Sequence, residues 1–392
     1  MNIDPFTIDV PQEVLLDLKE RLSRTRWPDE IPNSAWDYGS NLAYVRELVE
    51  YWRDHFDWRS QEAAINQFSH FRTQVDGLGI HFIHQRGQGP RPLPLIITHG
   101  WPSSFYEMHK ILPLLTNPAA HGADPEDSFD VVVPSMPGYG FSDKPDQRGM
   151  SVLKVADVWS QLMTQNLRYS RFCAQGGDWG AGVTARLGFA YPSQVIGIHV
   201  TSVSGGTMAP YLGPGARPLS PAEQTMLDQR EAWRQHEGGY SHIQGTKPQT
   251  LSYGLNDSPA GLAAWILEKF RTWSDCGGDV ETSFTKDELL TNITIYWVTE
   301  SINSSTRMYY ESQHTQWNLG PEDRIKVPCG VAVFPKEISQ PPREWGERSY
   351  NVQRWTTMPR GGHFAALEEP DLLAEDIRAF FRPMRAQEIT NQ

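Results

Sequence analysis

Apolar residues along this chain follow two alternating patterns. Short continuous runs occupy Pro94 to Thr98, Val131 to Pro134, Arg171 to Gln175, Val195 to Val200, Val331 to Phe334 and Val352 to Met358. Runs of this length, bounded by Gly and Pro, predict strands buried on both faces. Between them the apolar positions recur every three or four residues, which predicts helices with one buried face. The helical stretches are an N-terminal one carrying Val14, Leu15, Leu18 and Leu22, then Ala181 to Tyr191, Pro259 to Trp273, Lys286 to Tyr310 and Pro370 to Phe381. Strands alternating with helices predict an α/β fold with a mostly parallel sheet flanked by helices. Thr201 to Pro221 has neither period and is rich in Gly, Pro and Ser, so it reads as a linker.

The order of these patterns divides the chain into four stretches. Residues 1–80 read as a helical arm and 81–205 as the first part of the core. Residues 206–321 read as the linker and an inserted helical lid, and 322–392 as the part that completes the core. A length of 392 residues exceeds one ordinary core, which fits a main domain with an insertion. No apolar run reaches the ~18 residues of a membrane span, and the first residues lack a signal-peptide pattern. A soluble cytoplasmic protein without a membrane anchor is therefore expected. The net charge of −12 and the lack of a basic cluster argue against nucleic acid as a partner. Cys173, Cys276 and Cys329 are odd in number and widely spaced, so they read as free thiols. His81 and His84 do not form a chelating pair, and no zinc or phosphate-loop motif is present, so neither metal nor cofactor is expected.

Candidate chemistry centres on Gly176-Gly177-Asp178-Trp179-Gly180, set between a strand run and a helix. In the strand–turn–helix elbow G-x-S-x-G, glycines let the chain turn sharply and expose a strained central nucleophile. Aspartate in that seat is already ionised at neutral pH, with an ordinary pKa of ~3.9. Its attack on a saturated carbon yields an alkyl ester. Upstream, the strand run Pro94 to Thr98 ends in His99-Gly100-Trp101-Pro102, the loop that supplies an oxyanion-hole amide in α/β-hydrolases. The two amides are assigned to Trp101 and Trp179. The loop Pro137 to Ser142, after the next strand run, suits the rim of a pocket mouth. His363 sits in Gly361-Gly362-His363-Phe364, directly after the last strand run, where the base belongs. Glu337 leaves the strand that begins at Val331 and is the triad acid; Glu322 and Asp323 compete but precede that strand.

These motifs together resemble the microsomal-type epoxide hydrolases of the α/β-hydrolase superfamily, which include juvenile hormone, fungal and bacterial enzymes. The resemblance also rests on Pro5 to Pro11, Phe56-Asp57-Trp58-Arg59, Ile80 to His84, Leu255 to Pro259 and Ile266 to Phe270. It implies an α/β-hydrolase fold, a small hydrophobic epoxide and water as partners, and a vicinal diol as product. It also implies two lid tyrosines that bind the epoxide oxygen. They match Tyr240, in Gly238-Gly239-Tyr240, and Tyr309, in Arg307-Met308-Tyr309, with Tyr310 adjacent to the second. Haloalkane dehalogenation by the same Asp and His is the alternative chemistry, and a homodimer is left open.

Overall fold

The computed structural model describes residues 2–203, 210–315, 317 and 319–390, with side chains described as far as residue 385. Residues 204–209 of the Gly-rich linker stretch lie outside the described residues. Nine strands form one sheet: β1 (Ile3–Pro5), β2 (His70–Val75), β3 (Leu78–Gln85), β4 (Leu93–Thr98), β5 (Phe129–Pro134), β6 (Phe172–Gly176), β7 (Val195–Val200), β8 (Ile325–Val333) and β9 (Tyr350–Thr357). Their order is β1-β2-β3-β5-β4-β6-β7-β8-β9. Pairing is antiparallel from β1 through β3 to β5 and parallel from there to β9.

The continuous apolar runs become fully buried strands because helices cover both faces. Every residue of β5, β6 and β7 is buried. Alternate residues feed two cores: Ile96 and Val132 enter one, while Leu95, Ile97, Val131 and Val133 enter the other. The N-terminal stretch is not purely helical. Its helices are joined by β1, β2 and the start of β3, and β3 crosses the boundary at residue 80 that composition suggests.

The lid stretch contains the helices Pro221–Glu237, Gly239–Thr246, Pro248–Leu255, Pro259–Trp273, Lys286–Val298 and Ile302–His314. Capping boxes start two of them, Ser220 with Glu223 and Thr285 with Glu288. The single helix expected from Lys286 to Tyr310 is two, because Glu300 takes a left-handed φ of 49° between them. The loop from Pro137 to Ser142 meets the expectation of a pocket rim only in part. Only its first residue, Pro137, lines a cavity; Gly138 lies under Ser304, whose hydroxyl donates to the Gly138 carbonyl, and Tyr139 is fully buried.

Parallel register sets where the functional loops emerge. Thr98 pairs with Gly176, Gly176 with Val200, and Val200 with Val331. The loops after β4, β6, β8 and β9 therefore leave the same edge, and a bridge between Lys336 and Gly362 ties the last two together.

Candidate active site

Asp178 has a φ of 48°, the strained turn expected of an elbow. The glycines around it are required by close packing. A Cβ on Gly180 would lie 1.9 Å from the Thr98 carbonyl oxygen, and one on Gly100 would lie 2.4 Å from the Asp178 Cβ. The same close approach brings the two amides to the carboxylate. The backbone N–H of Trp101 donates to Asp178 Oδ1 at 2.8 Å, and the N–H of Trp179 is near enough to act on the carboxylate.

His363 follows β9 and is buried. Its Nδ1 lies 2.6 Å from Glu337 Oε1, and its Nε2 lies 3.6 Å from Asp178 Oδ2. The backbone of this loop is held from the lid side, since His363 N–H donates to the Trp273 carbonyl and Gly361 N–H to Asp275 Oδ2. Burial alone would lower the imidazole pKa. The charge and hydrogen bond of Glu337, with the charge of Asp178, outweigh it and raise His363 to about 9. Asp178 is pushed upward by burial, opposed by the His363 charge and the two amides.

Two lid helices bring Tyr240 and Tyr309 over the same carboxylate. Tyr240 stacks on Trp101 with ring centroids 5.3 Å apart, and Tyr309 stands edge-on to Trp179 at 4.7 Å. The two rings meet edge-on with centroids 5.9 Å apart, and burial holds both phenols well above the ordinary tyrosine pKa. Tyr310 points elsewhere: it stacks on His314 and lines a different cavity. A cavity of ≈ 230 Å³ opens between these groups, walled by Trp179, Val203, Trp233, Tyr240, Tyr309 and Ile338, and Asp178 and His363 reach into it.

The seven residues singled out from the sequence (Trp101, Asp178, Trp179, Tyr240, Tyr309, Glu337 and His363) thus meet at one place. Sequence reading missed Glu107, which lines a second, small cavity behind Asp178 and His363. It also missed Trp273, whose ring meets the His363 imidazole edge-on at 5.1 Å. Neither carries a sequence signal: Glu107 is a glutamate in a short helical turn, and Trp273 is one of 14 tryptophans. Among the described residues no His, Cys, Asp and Glu group has the arrangement of a metal site, and no helix is long and apolar enough to cross a membrane. All three cysteines are buried, and none is in a disulfide.

Comparison with known proteins agrees with this architecture. The family model described as "Epoxide hydrolase N terminus" matches residues 3–108, and that described as "alpha/beta hydrolase fold" matches residues 94–225. Epoxide hydrolase 1 of Oryctolagus cuniculus is 40% identical, over 97% of this chain and 88% of its own. The crystal structure of juvenile hormone epoxide hydrolase from the silkworm Bombyx mori superposes with a TM-score of 0.87 at 30% identity, over 99% of this chain and 96% of that one. The Aspergillus niger epoxide hydrolase structure superposes with a TM-score of 0.84 at 31% identity, over 98% and 97%. The fold is that of the α/β-hydrolases, and the chain belongs to the epoxide hydrolase family.

Proposed function

We propose that this epoxide hydrolase converts small apolar epoxides to vicinal diols through an alkyl ester on Asp178. Asp178 Oδ2 attacks a ring carbon, and the C–O bond to the epoxide oxygen breaks. Tyr240 and Tyr309 hydrogen-bond that oxygen, and one phenol gives it a proton. Water then bonds to Asp178 Cγ while His363 Nε2 takes a proton, and the Trp101 and Trp179 amides hold the negative charge on Oδ1. Collapse breaks the Cγ–Oδ2 bond, so Oδ2 leaves in the diol and the water oxygen stays on Asp178. One water proton leaves with the diol, and the other restores the phenol.

The observation that carries this reading is the disposition of one carboxylate. Oδ1 accepts from the Trp101 amide at 2.8 Å, Oδ2 faces His363 at 3.6 Å, and two phenols close the cavity above. The electrostatics support the order of steps. With Asp178 ionised, His363 holds its proton, because its pKa is raised to about 9 in part by the Asp178 charge. Esterification removes that charge, the raise shrinks, and the imidazolium releases its proton to solvent, so that a base is available when the water needs one; the proton returns once the Asp178 carboxylate is restored. The apolar walls of the cavity suit a compact alkyl or aryl epoxide.

Intact mass spectrometry of His363→Gln after incubation with styrene oxide tests the reading. An adduct of one substrate mass on Asp178 is expected, since the ester forms and is not cleared. A folded His363→Gln protein that binds the epoxide yet carries no adduct would overturn the covalent route.

A further inference from the structure

Behind the nucleophile, away from the substrate cavity, lies a small cavity with ≈ 10 Å³ of space for a water centre. That is about the least that accommodates one water, which also needs two to four polar partners. Its lining includes residues able to supply them: Asp178, His363, Thr201, Gln175 and Glu107. Glu107 sits on the 3-10 helix Phe105–His109, which follows directly on the loop that carries the Trp101 amide. Its carboxyl is hydrogen-bonded to Ser103 Oγ, and Ser103 Oγ also donates to the Gly100 carbonyl at 3.2 Å. The carboxyl is thereby tied to the residue preceding Trp101. Nothing in the reaction as written above uses Glu107, although it is part-buried and near enough to His363 and Asp178 for their charges to act on it. Burial pushes it up to about 7, so it is neither a fixed anion nor an ordinary surface acid.

We propose that this cavity seats the water that hydrolyses the Asp178 ester, and that Glu107 is the residue that positions it. The inference rests on the ester reading above. Substrate occupies the ≈ 230 Å³ cavity on one side of the carboxylate, and the ester it forms fills that side. Water must reach Cγ while it is also within reach of His363, and the small cavity is lined by both Asp178 and His363. An acceptor on its far wall orients the water: one O–H points to Glu107, the other to His363 Nε2, and a lone pair faces Cγ. The water oxygen bonds to Cγ, its proton passes to His363, and Glu107 undergoes no net change.

Single-turnover kinetics of Glu107→Gln with styrene oxide, followed by tryptophan fluorescence and rapid quench, test this. The amide keeps the size of the side chain and a partner for Ser103. The ester is expected to form at the wild-type rate and to clear ~10–100-fold more slowly, the cost of a misplaced reactant. In the steady state kcat and KM fall together while kcat/KM holds, a split that general damage to the site does not produce. Ester that clears at the wild-type rate overturns the water seat alone, as does a loss of ester formation equal to the loss of clearance. No ester in either Glu107→Gln or His363→Gln overturns the covalent reading, and the water seat falls with it. Should Glu107→Gln fail to fold, Ser103→Ala releases the carboxyl without altering charge and is read by the same split.

Discussion

At the scale of single residues, the site is built around one strained carboxylate. Asp178 holds a left-handed φ of 48°, and glycines on either side leave the room that this turn needs. The carboxylate accepts from the Trp101 amide and lies beside that of Trp179, and because both groups are backbone no side-chain substitution removes them. The phenols are the replaceable parts. Tyr240→Phe and Tyr309→Phe are each expected to lower turnover by ~10²–10³, the usual cost of removing one donor to a developing oxyanion. Tyr310→Phe should leave turnover unchanged, because that ring stacks on His314 outside the substrate cavity. Initial rates of diol formation from styrene oxide check all three; a crippled Tyr310→Phe beside a silent Tyr309→Phe would reverse the assignment.

At the scale of elements, helix boundaries follow local chemistry and strand ends follow register. The S-x-x-E and T-x-x-E boxes begin helices where the sequence carries them. The C-terminal helix Pro370–Thr390 is fixed to the sheet by a buried cluster: Asp376 accepts from His199 of β7 at 2.9 Å, and from Arg354 and Thr356 of β9 at 2.7 Å each. Burial opposes the charge on Asp376, but the His199, Thr356 and Arg354 contacts outweigh it and lower its pKa from 3.8 to about 2. A depressed acid contributes stability above its unfolded pKa, and that stability is lost as pH falls through the folded one. The shift corresponds to about 2 kcal/mol. Asp376→Asn should therefore be less stable than wild type by at least that amount at neutral pH, with the gap closing between pH ~4 and ~2. Urea unfolding across that range measures it, and a gap independent of pH would show that the carboxylate charge is not what holds the helix.

At the scale of the molecule, lid and core complete one site together. The lid carries both phenols, and it also holds the His363 loop through the Trp273 carbonyl and Asp275. The arm in turn grips the lid, with Trp52 Nε1 donating to Thr294 and Tyr51 to Asp287. The first lid helix is pinned to the core by Glu223, fully buried, which accepts from Arg348 at 2.6 and 2.7 Å and from Arg217 at 2.8 and 3.1 Å. Glu223→Ala leaves the Arg348 guanidinium without its carboxylate, with the Arg217 and Pro218 carbonyls as remaining acceptors, and is expected to cost about 1–3 kcal/mol. Chemical denaturation reads that loss. The same variant should weaken kcat/KM, since Tyr240 and Trp233 lie on lid segments that follow directly on this anchor.

Asp178, Trp101, Trp179, His363 and Glu337 could be singled out from the sequence because the setting of each is fixed by a few neighbouring residues, and the fold brings the five together. A strand run, a glycine-permitted turn and a strand-end loop are local facts, and parallel pairing then carries such loops to one edge. The alternation of strand and helix likewise determined the fold class. The lid tyrosines were legible only through resemblance, since 14 tyrosines share the chain and no spacing distinguishes two of them. Adjacent Tyr309 and Tyr310 differ only in which way a helix turns them, and that is decided by packing against Trp179 and Trp101. The break at Glu300 and the strands within the arm were hidden for a related reason: their apolar patterns continue across the break, and only contacts with distant segments select one conformation. Glu107 shows the same limit at the site itself. A glutamate in a short helical turn is unremarkable until the sheet brings Asp178 and His363 to the other side of a space large enough for one water.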